Sequence, residues 1–190
     1  MKTLLTGFGA FLDVTDNPSA RLVHRFGESG APGHDITARV LPVSCAAASE
    51  VIPALMGQGF DAAILLGVAA RDTEVRLERF ARNDRNATPD VDGFAKPGPI
   101  FAGGPDCYET RIPLEPLLSG LTQAGLPARI SEDAGAYVCN HTYYTAMHAI
   151  ALAGLPTLCL FVHVPPATPD YPLAMQAAAI GTILEALRVR

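Results

Sequence analysis

Short apolar runs of strand character alternate along this chain with longer runs of helical character, and this alternation limits the fold more than any other feature. The strand-like runs lie at 3–6, 36–41, 62–66, 128–131 and 157–163, and the helical patterns at 46–57, 112–124, 140–153 and 171–190. Such alternation is typical of parallel strands joined by crossover helices. The sequence therefore predicts an α/β fold, a three-layer α/β/α sandwich with a largely parallel, mixed central sheet. No internal repeat or linker divides the chain, so we expect residues 1–190 to form one domain.

The middle of the chain is less regular. Residues 73–83 alternate between two faces, an apolar one with Val75 and Leu77 and a polar one with Glu74, Arg76 and Glu78. A period of two predicts a strand. Residues 82–104 are rich in Asn, Asp, Pro and Gly and predict a long excursion. Loops of that length in compact domains are usually functional.

The composition excludes several classes of function. Hydrophobic residues make up 49% of the 190 residues and charged residues 17%, which indicates a well-buried globular protein. A net charge of −5 with no basic run argues against nucleic acid as a partner. The first residues lack the apolar run of a signal peptide, and no stretch approaches the roughly 18 apolar residues that a membrane helix needs. We therefore expect a cytoplasmic protein without a membrane partner.

The four cysteines are Cys45, Cys107, Cys139 and Cys159, and no two of them form a C-x-x-C pair. A zinc clip or thiol redox centre therefore has no support, and in a reducing cytosol free thiols are expected. We interpret Cys45, Cys107 and Cys159 as small buried hydrophobic residues. Cys139 differs because it stands where a helical run begins.

Three reactive side chains are predicted near the ends of strands, where open α/β sheets build their sites. Cys139 opens the helical run 140–153, and a helix N-terminus favours a thiolate and offers free N–H groups to an oxyanion. His163 ends the apolar strand 157–163, a suitable place for a general base. Glu78, on the polar face of the middle strand, is placed to accept a hydrogen bond from that imidazole. Together they predict the nucleophile, base and orienting acid of a cysteine hydrolase.

Each of these positions also has an ordinary structural interpretation. His163 reads equally as a satisfied histidine at a strand end, and Glu78 as part of a solvated strand face. The other histidines are His24, His34, His141 and His148, of which the last two share the helical run with Cys139 but project away from the thiol or lie too far along it. No H-x-x-x-H or H-E-x-x-H spacing appears, and the glycines near the N-terminus lack the third member of a dinucleotide fingerprint. We therefore expect neither a metal nor a cofactor.

Four sequence blocks carry a family resemblance that spans nearly the whole chain. They read LTGFGAF at 5–11 followed by NPS at 17–19, GVAAR at 67–71 leading to LER at 77–79 and Asn83, YVCNHTYY at 137–144, and VHVP at 162–165. In this order they resemble pyroglutamyl peptidase type I, the pyrrolidone-carboxylate peptidases of peptidase family C15. The third block, like the family's FVCNxx[FY]Y, is the most specific. The resemblance implies a phosphorylase/hydrolase-like sandwich.

The resemblance also implies an activity and a site. It implies a cysteine peptidase that removes an N-terminal pyroglutamyl residue from peptides, with Cys139, His163 and Glu78 as the triad. It implies an apolar slot for the uncharged lactam, to which Phe8, Phe11, Tyr137 and Val138 correspond, and backbone groups at Val68 to bond its amide. It further implies a homo-oligomer, often a tetramer in bacterial members.

The chain departs from the family pattern in two places, and alternatives therefore stay open. Val68, Ala69 and Ala70 stand where the family commonly has Gln and Gly-Gly, and the excursion has no clear counterpart of a family arginine. One alternative is a catalytically silent relative that binds pyroglutamyl peptides or a small cyclic amide. Another is an unrelated cysteine amidase that uses the same three residue types.

Overall fold

The computed structural model describes residues 1–11 and 15–188, and the last two residues of the predicted 171–190 helical run lie outside that range. The strands are β1 (Lys2–Phe8), β2 (Asp35–Leu41), β3 (Ala62–Val68), β4 (Val75–Glu78), β5 (Phe80–Arg82), β6 (Cys107–Glu109), β7 (Ala128–Ser131) and β8 (Leu158–Val164). The helices are α1 (Pro18–Ser29), α2 (Cys45–Met56), α3 (Leu114–Gln123), α4 (Val138–Leu152) and α5 (Leu173–Arg188). Among these described helices, none is both long and apolar enough to cross a membrane.

Six strands form one mixed sheet in the order β2-β1-β3-β8-β4-β7. The pairs β2–β1, β1–β3 and β3–β8 are parallel. β4 runs antiparallel to β8, and β7 runs parallel to β4. The predicted class, a largely parallel mixed sheet between helices, is therefore confirmed. β5 and β6 form a separate two-stranded ribbon that packs against α4.

Two apolar clusters cover the two faces of the sheet. One is built on α1, α3 and α5, and it contains side chains from alternate positions of β3 such as Ile64 and Leu66. The other is built on α2 and α4, and it contains the intervening position Leu65. Residues of a strand alternate between faces, so a central strand covered on both sides is apolar throughout. β3 is buried along six of its seven residues for this reason.

Helix ends follow from local side chains. Asn17 accepts a hydrogen bond from the Ser19 backbone N–H and so caps α1, and the Pro at the first helical position has its φ already set. Ser44 accepts from the Ala47 N–H and caps α2. The Asn-Pro pair at 17–18 is a helix-start signal that the sequence contains, and the predicted elements nevertheless do not include helix α1. Its buried face is formed by Leu22, Val23 and Phe26.

The structure corrects three further predictions. The predicted strand 73–83 is interrupted at Arg79, where the chain leaves the main sheet and continues as β5 of the ribbon. Helix α4 begins at Val138 rather than at residue 140, so Cys139 lies within its first turn. Cys107 is exposed, because it lies on the short ribbon strand β6 outside both cores, whereas Cys45 and Cys159 are buried as expected.

Candidate active site

Three neighbouring strands place Gly67, His163 and Arg76 in one row across the sheet. Gly67 of β3 pairs with His163 of β8, and His163 pairs in turn with Arg76 of β4. Paired residues project from the same face of a sheet. This face is the one that α4 covers, since a Cβ added at Gly67 would lie 2.9 Å from the Cys139 sulfur. The row therefore lies directly beneath the start of α4.

The imidazole of His163 lies between a carboxylate and a thiol. Its Nδ1 is 2.7 Å from Oε1 of Glu78, which is the contact that the sequence predicted. Only 5% of the surface of His163 is exposed. Cys139 lies close enough to the same ring to raise the pKa of His163, and Nε2 is the ring nitrogen that Glu78 leaves free. Burial by itself would lower the pKa of His163, but the hydrogen bonds and charges of Cys139 and Glu78 raise it to about 9. The arrangement therefore favours an imidazolium at neutral pH.

Glu78 is fully buried, in contrast to the solvated strand face that was the alternative interpretation. Because β4 runs antiparallel to β8, Glu78 lies opposite Phe161 and diagonal to His163, within reach of its ring. The Arg76 Nε lies 2.8 Å from the same Oε1 that contacts His163. The Tyr143 hydroxyl donates to the backbone carbonyl of Glu78 at 3.2 Å. A buried carboxylate needs such charged partners, since its desolvation is otherwise unfavourable.

The thiol of Cys139 is partly exposed at the start of α4. The first turn of a helix leaves backbone N–H groups without intrahelical partners, and within the described ranges no side chain caps this helix. α1 and α2 have their side-chain caps, so α4 differs from both. An uncapped helix start beside a thiol provides donors for a developing negative charge.

Gly67 makes room for the thiol. Its hypothetical Cβ would lie 2.9 Å from the Cys139 Sγ and 2.8 Å from the Phe161 ring, and both neighbours are part of the packed site. Contacts shorter than 3 Å force one of the groups to move. In the sequence Gly67 is only the first residue of the GVAAR block, and its steric role is visible only in three dimensions.

Gly67→Ala is therefore expected to lower the free energy of unfolding by about 1–3 kcal/mol and to slow alkylation of Cys139 by about tenfold. The added methyl group would displace the sulfur from the imidazole. Denaturant unfolding and mass-spectrometric alkylation rates check both effects. Gly181→Ala on α5 is the matched control, because nothing lies within 4 Å of its Cβ position, and it should be neutral or slightly stabilising. Equal behaviour of the two variants would contradict this role for Gly67.

Four of the five predicted pocket residues share one apolar cluster with Cys139. Phe8 and Val138 are buried members of the same apolar cluster, and Phe11, Tyr137 and Cys139 pack against it. The rings of Phe11 and Tyr137 lie 5.6 Å apart. The apolar wall is therefore formed by the end of β1 and the start of α4.

The side chain of Val68 is not in this group. It packs against the cluster on the opposite face, because it follows Gly67 in the strand and successive residues alternate. Val68 instead lines a separate open cleft of about 370 Å³, whose other lining residues are Thr15, Asp16, Pro18, Ala70, Pro166 and Ala167.

The predicted excursion lies against the rim of the site. The Asp90 carboxylate accepts backbone N–H bonds from Cys45, Asp92 and Phe94, at 2.8–3.0 Å. Burial would raise the pKa of Asp90, but these N–H groups lower it. The Tyr137 hydroxyl donates to the Pro89 carbonyl at 2.9 Å. The excursion is thereby attached both to α2 and to the aromatic wall beside Cys139.

Three of the other four histidines have structural contacts, whereas His24 is exposed on α1. His141 contacts the Ser49 hydroxyl of α2 at 2.8 Å, and burial, with Arg85 nearby, lowers its pKa to about 4. His148 contacts the Tyr108 hydroxyl at 2.7 Å, and His34 lies between Thr3 and a carbonyl of α5. In the part of the chain that the structure describes, no group of three or more His, Cys, Asp or Glu could hold a metal ion.

Arg76 is the site residue that sequence reasoning missed. The alternation in 73–83 placed it on the same strand face as Glu78, which was a usable signal. None of the four sequence blocks includes Arg76, and only the pairing of β4 with β8 places it beside His163.

A thiol at the start of a helix, next to a histidine held by a carboxylate, is the arrangement of cysteine hydrolases. Comparisons with known proteins narrow this class. The sequence model of the pyroglutamyl peptidase family, peptidase family C15, matches residues 1–189, and the chain belongs to this family of cysteine peptidases.

Named relatives and solved structures agree with this membership. The chain is 39% identical over 168 residues to the pyrrolidone-carboxylate peptidase of Thermococcus onnurineus, covering 87% of this chain and 84% of the relative. It is 35% identical over 191 residues to pyrrolidone-carboxylate peptidase 1 of Ralstonia nicotianae, covering 98% and 89%. The crystal structure of pyrrolidone carboxyl peptidase from Fervidobacterium islandicum superposes with a TM-score of 0.93 at 33% identity, covering 100% and 99% of the two chains.

Proposed function

We propose that this chain is a cysteine exopeptidase that removes an N-terminal pyroglutamyl residue from peptides. The observation that carries the proposal is the placement of the buried His163 imidazole between the Glu78 carboxylate and the Cys139 thiol. Cys139 is the nucleophile, His163 the general base and acid, and Glu78 the residue that orients the imidazole. Residues 1–190 act as one catalytic domain in this proposal.

The reaction proceeds through a thioester. The Cys139 sulfur, whose proton His163 holds, attacks the carbonyl carbon that joins the pyroglutamyl group to the next residue. N–H groups at the start of α4 stabilise the oxyanion that forms. His163 then gives its proton to the leaving amine, and the C–N bond breaks. Water, deprotonated by His163, attacks the thioester carbon, so pyroglutamate leaves and the thiolate with its imidazolium is restored.

The apolar wall suits a cyclised residue better than an open one. Pyroglutamate has no ammonium group, because ring closure has used its amine. Phe8, Phe11, Tyr137 and Val138 provide apolar surface next to the thiol. Asp90, on the excursion that is attached to this wall, is occupied by three backbone N–H groups. A charged N-terminal glutamine would lose hydration of its ammonium without compensation, so we expect discrimination of at least about a hundredfold.

Two alternatives predict different results. A catalytically silent relative would bind pyroglutamyl peptides without cleaving them, and the substitutions at 68–70 motivate it. The Val68 side chain bears on this alternative because it lies on the opposite face of the sheet, so a change of side chain there leaves the wall beside Cys139 unaltered. An unrelated cysteine amidase would cleave amides without a preference for the lactam.

The test is release of a reporter amine from pyroglutamyl, prolyl and glutaminyl amides by the reduced protein. We expect turnover of the pyroglutamyl amide alone, and Phe11→Ala should raise KM for it more than it lowers kcat, since the ring contacts substrate rather than the reacting atoms. No turnover of any amide would leave the binding alternative. Comparable turnover of all three would favour the general amidase.

A further inference from the structure

Arg76 contacts the proposed triad without belonging to it. Its Nε lies 2.8 Å from Oε1 of Glu78, and His163 Nδ1 lies 2.7 Å from that same oxygen. The Nε contact is an ion pair rather than a well-aligned hydrogen bond. Guanidinium, carboxylate and imidazole therefore form a continuous chain that ends at the Cys139 thiol.

The guanidinium is itself held from several sides. Nη1 donates to Oδ2 of Asp72 at 3.0 Å, and Nη2 donates to the Ser131 hydroxyl at 3.0 Å and to the Asp133 carbonyl. The side chain is only 17% exposed. Burial would lower the pKa of Arg76, but Glu78 and Asp72 raise it, so the group stays charged. A planar guanidinium group that donates to three acceptors holds its charge at a defined position.

We propose that Arg76 is a positioning residue for the reaction, one that gives the buried Glu78 carboxylate a fixed counter-charge and directs its Oε1 at His163. This inference rests on the proposed function. Glu78 is fully buried, and its second oxygen, Oε2, has no hydrogen-bond partner within the described ranges. With Arg76 removed, His163 would be the remaining charged partner of the carboxylate, and rotation about its terminal bond would exchange the two oxygens.

A cation this close to the triad affects the protonation of each titratable group around it. The titratable and charged groups around Glu78 are Arg76 on its own strand, His163 on β8, and Cys139 and Tyr143 on α4, with Asp72 behind the guanidinium. Removing a cation makes protonation of each of these groups easier. Loss of Arg76 should therefore move the acid limb of the pH profile upward, by roughly one unit or more.

The experiment compares Arg76→Gln with Arg129→Gln. Arg129 is the residue paired with Arg76 on β7, and it contacts Asp72 and Glu74 rather than Glu78. The first measurement is the pH dependence of Cys139 alkylation, which needs no substrate. The second is the pH profile of kcat and KM for a pyroglutamyl amide. We expect Arg76→Gln to shift both acid limbs upward and to lower kcat about 10- to 100-fold with little change in KM, and Arg129→Gln to match the wild type.

A double variant separates positioning from general stability. If Arg76 acts through Glu78, adding Arg76→Gln to Glu78→Gln should change kcat less than about twofold. Additive losses would overturn the inference, as would a wild-type alkylation profile in Arg76→Gln. If circular dichroism shows that Arg76→Gln does not fold, Arg76→Lys is measured instead.

Lysine keeps the positive charge but lacks the planar guanidinium group. The acid limb of Arg76→Lys should therefore stay in place while kcat falls about three- to tenfold. An undiminished kcat would overturn the inference.

Failure of this inference and failure of the proposed function give different results. A wild-type enzyme that cleaves the pyroglutamyl amide, together with unshifted profiles in Arg76→Gln, would remove the role of Arg76 alone. A wild-type protein that cleaves no amide, but whose Cys139 alkylation profile shifts in Arg76→Gln, would remove the proposed function and keep the electrostatic coupling.

Discussion

Replacing Cys139 with alanine is expected to lower kcat/KM for a pyroglutamyl amide by at least about 10⁴-fold while the protein stays folded. The proposed reaction begins with attack by this sulfur, and no other described nucleophile shares its position beside His163. Cys139→Ser should also be nearly inactive, because a serine hydroxyl is a much weaker nucleophile than a cysteine thiolate at neutral pH. Near-normal activity of folded Cys139→Ala would exclude Cys139 as the nucleophile.

Thiol labelling gives an independent check on this assignment. Burial, with Asp90 nearby, raises the pKa of Cys45 to about 11, and burial raises that of Cys159 to about 12, so both should react slowly. Cys107 is exposed on the ribbon and is the appropriate control. We expect iodoacetamide to label Cys139 first and activity to fall in step with that label. Cys107→Ser should keep full activity, and loss of activity that follows Cys107 labelling would contradict the assignment.

The second large effect is expected for His163→Ala, which should lower kcat by at least about 10⁴-fold, because both proton transfers depend on this ring. Glu78→Gln should have a smaller effect, about 10- to 1,000-fold. It keeps the shape of the side chain but removes the negative charge that stabilises the imidazolium. Steady-state kinetics on both variants, with circular dichroism to verify folding, measure the difference. An unchanged kcat in Glu78→Gln would contradict the orienting role.

The pH dependence of these variants has a defined sign. The pKa of His163 is raised to about 9, so the imidazolium is retained at neutral pH and is lost as the pH rises through about 9. The wild-type alkaline limb of kcat/KM is therefore expected near that pH. Glu78→Gln removes the negative charge that lies beside the imidazolium. The pKa of His163 should therefore fall, and the alkaline limb should move to lower pH. A limb that stays in place or moves upward would show that the carboxylate does not act on the imidazole.

Much of the fold follows from local pattern. β3 begins at the predicted residue, in an apolar run that ends at a glycine, and β7 begins at the predicted residue directly after Pro127. Helix α3 begins at Leu114, two residues into the predicted 112–124 run, because Pro113 lacks the N–H that a helix interior needs and stands at the N-cap. Local pattern was less informative where the chain changes partner. The 73–83 segment reads as one strand, but it is divided at Arg79 between the main sheet and the ribbon.

The candidate site was less accessible to sequence reasoning than its residue types suggest. Motif and strand-end arguments identified Cys139, His163 and Glu78, and the structure brings all three together. They could not indicate that Val68 turns its side chain away from the thiol, because the facing of a strand depends on its register within the sheet. They also could not show that Cys107 is exposed, since burial of a small residue depends on what packs over it.

The sequence by itself determined the α/β class, the family and the three reactive residue types, because periodicity, capping residues and motif order are local properties of the chain. Only the tertiary structure decided which groups act on one another. Glu78 and His163 are 85 residues apart and meet because β4 inserts antiparallel beside β8, a pairing that no local pattern encodes. That same pairing places Arg76 opposite His163, while the parallel pairing on the other side places Gly67 under the thiol.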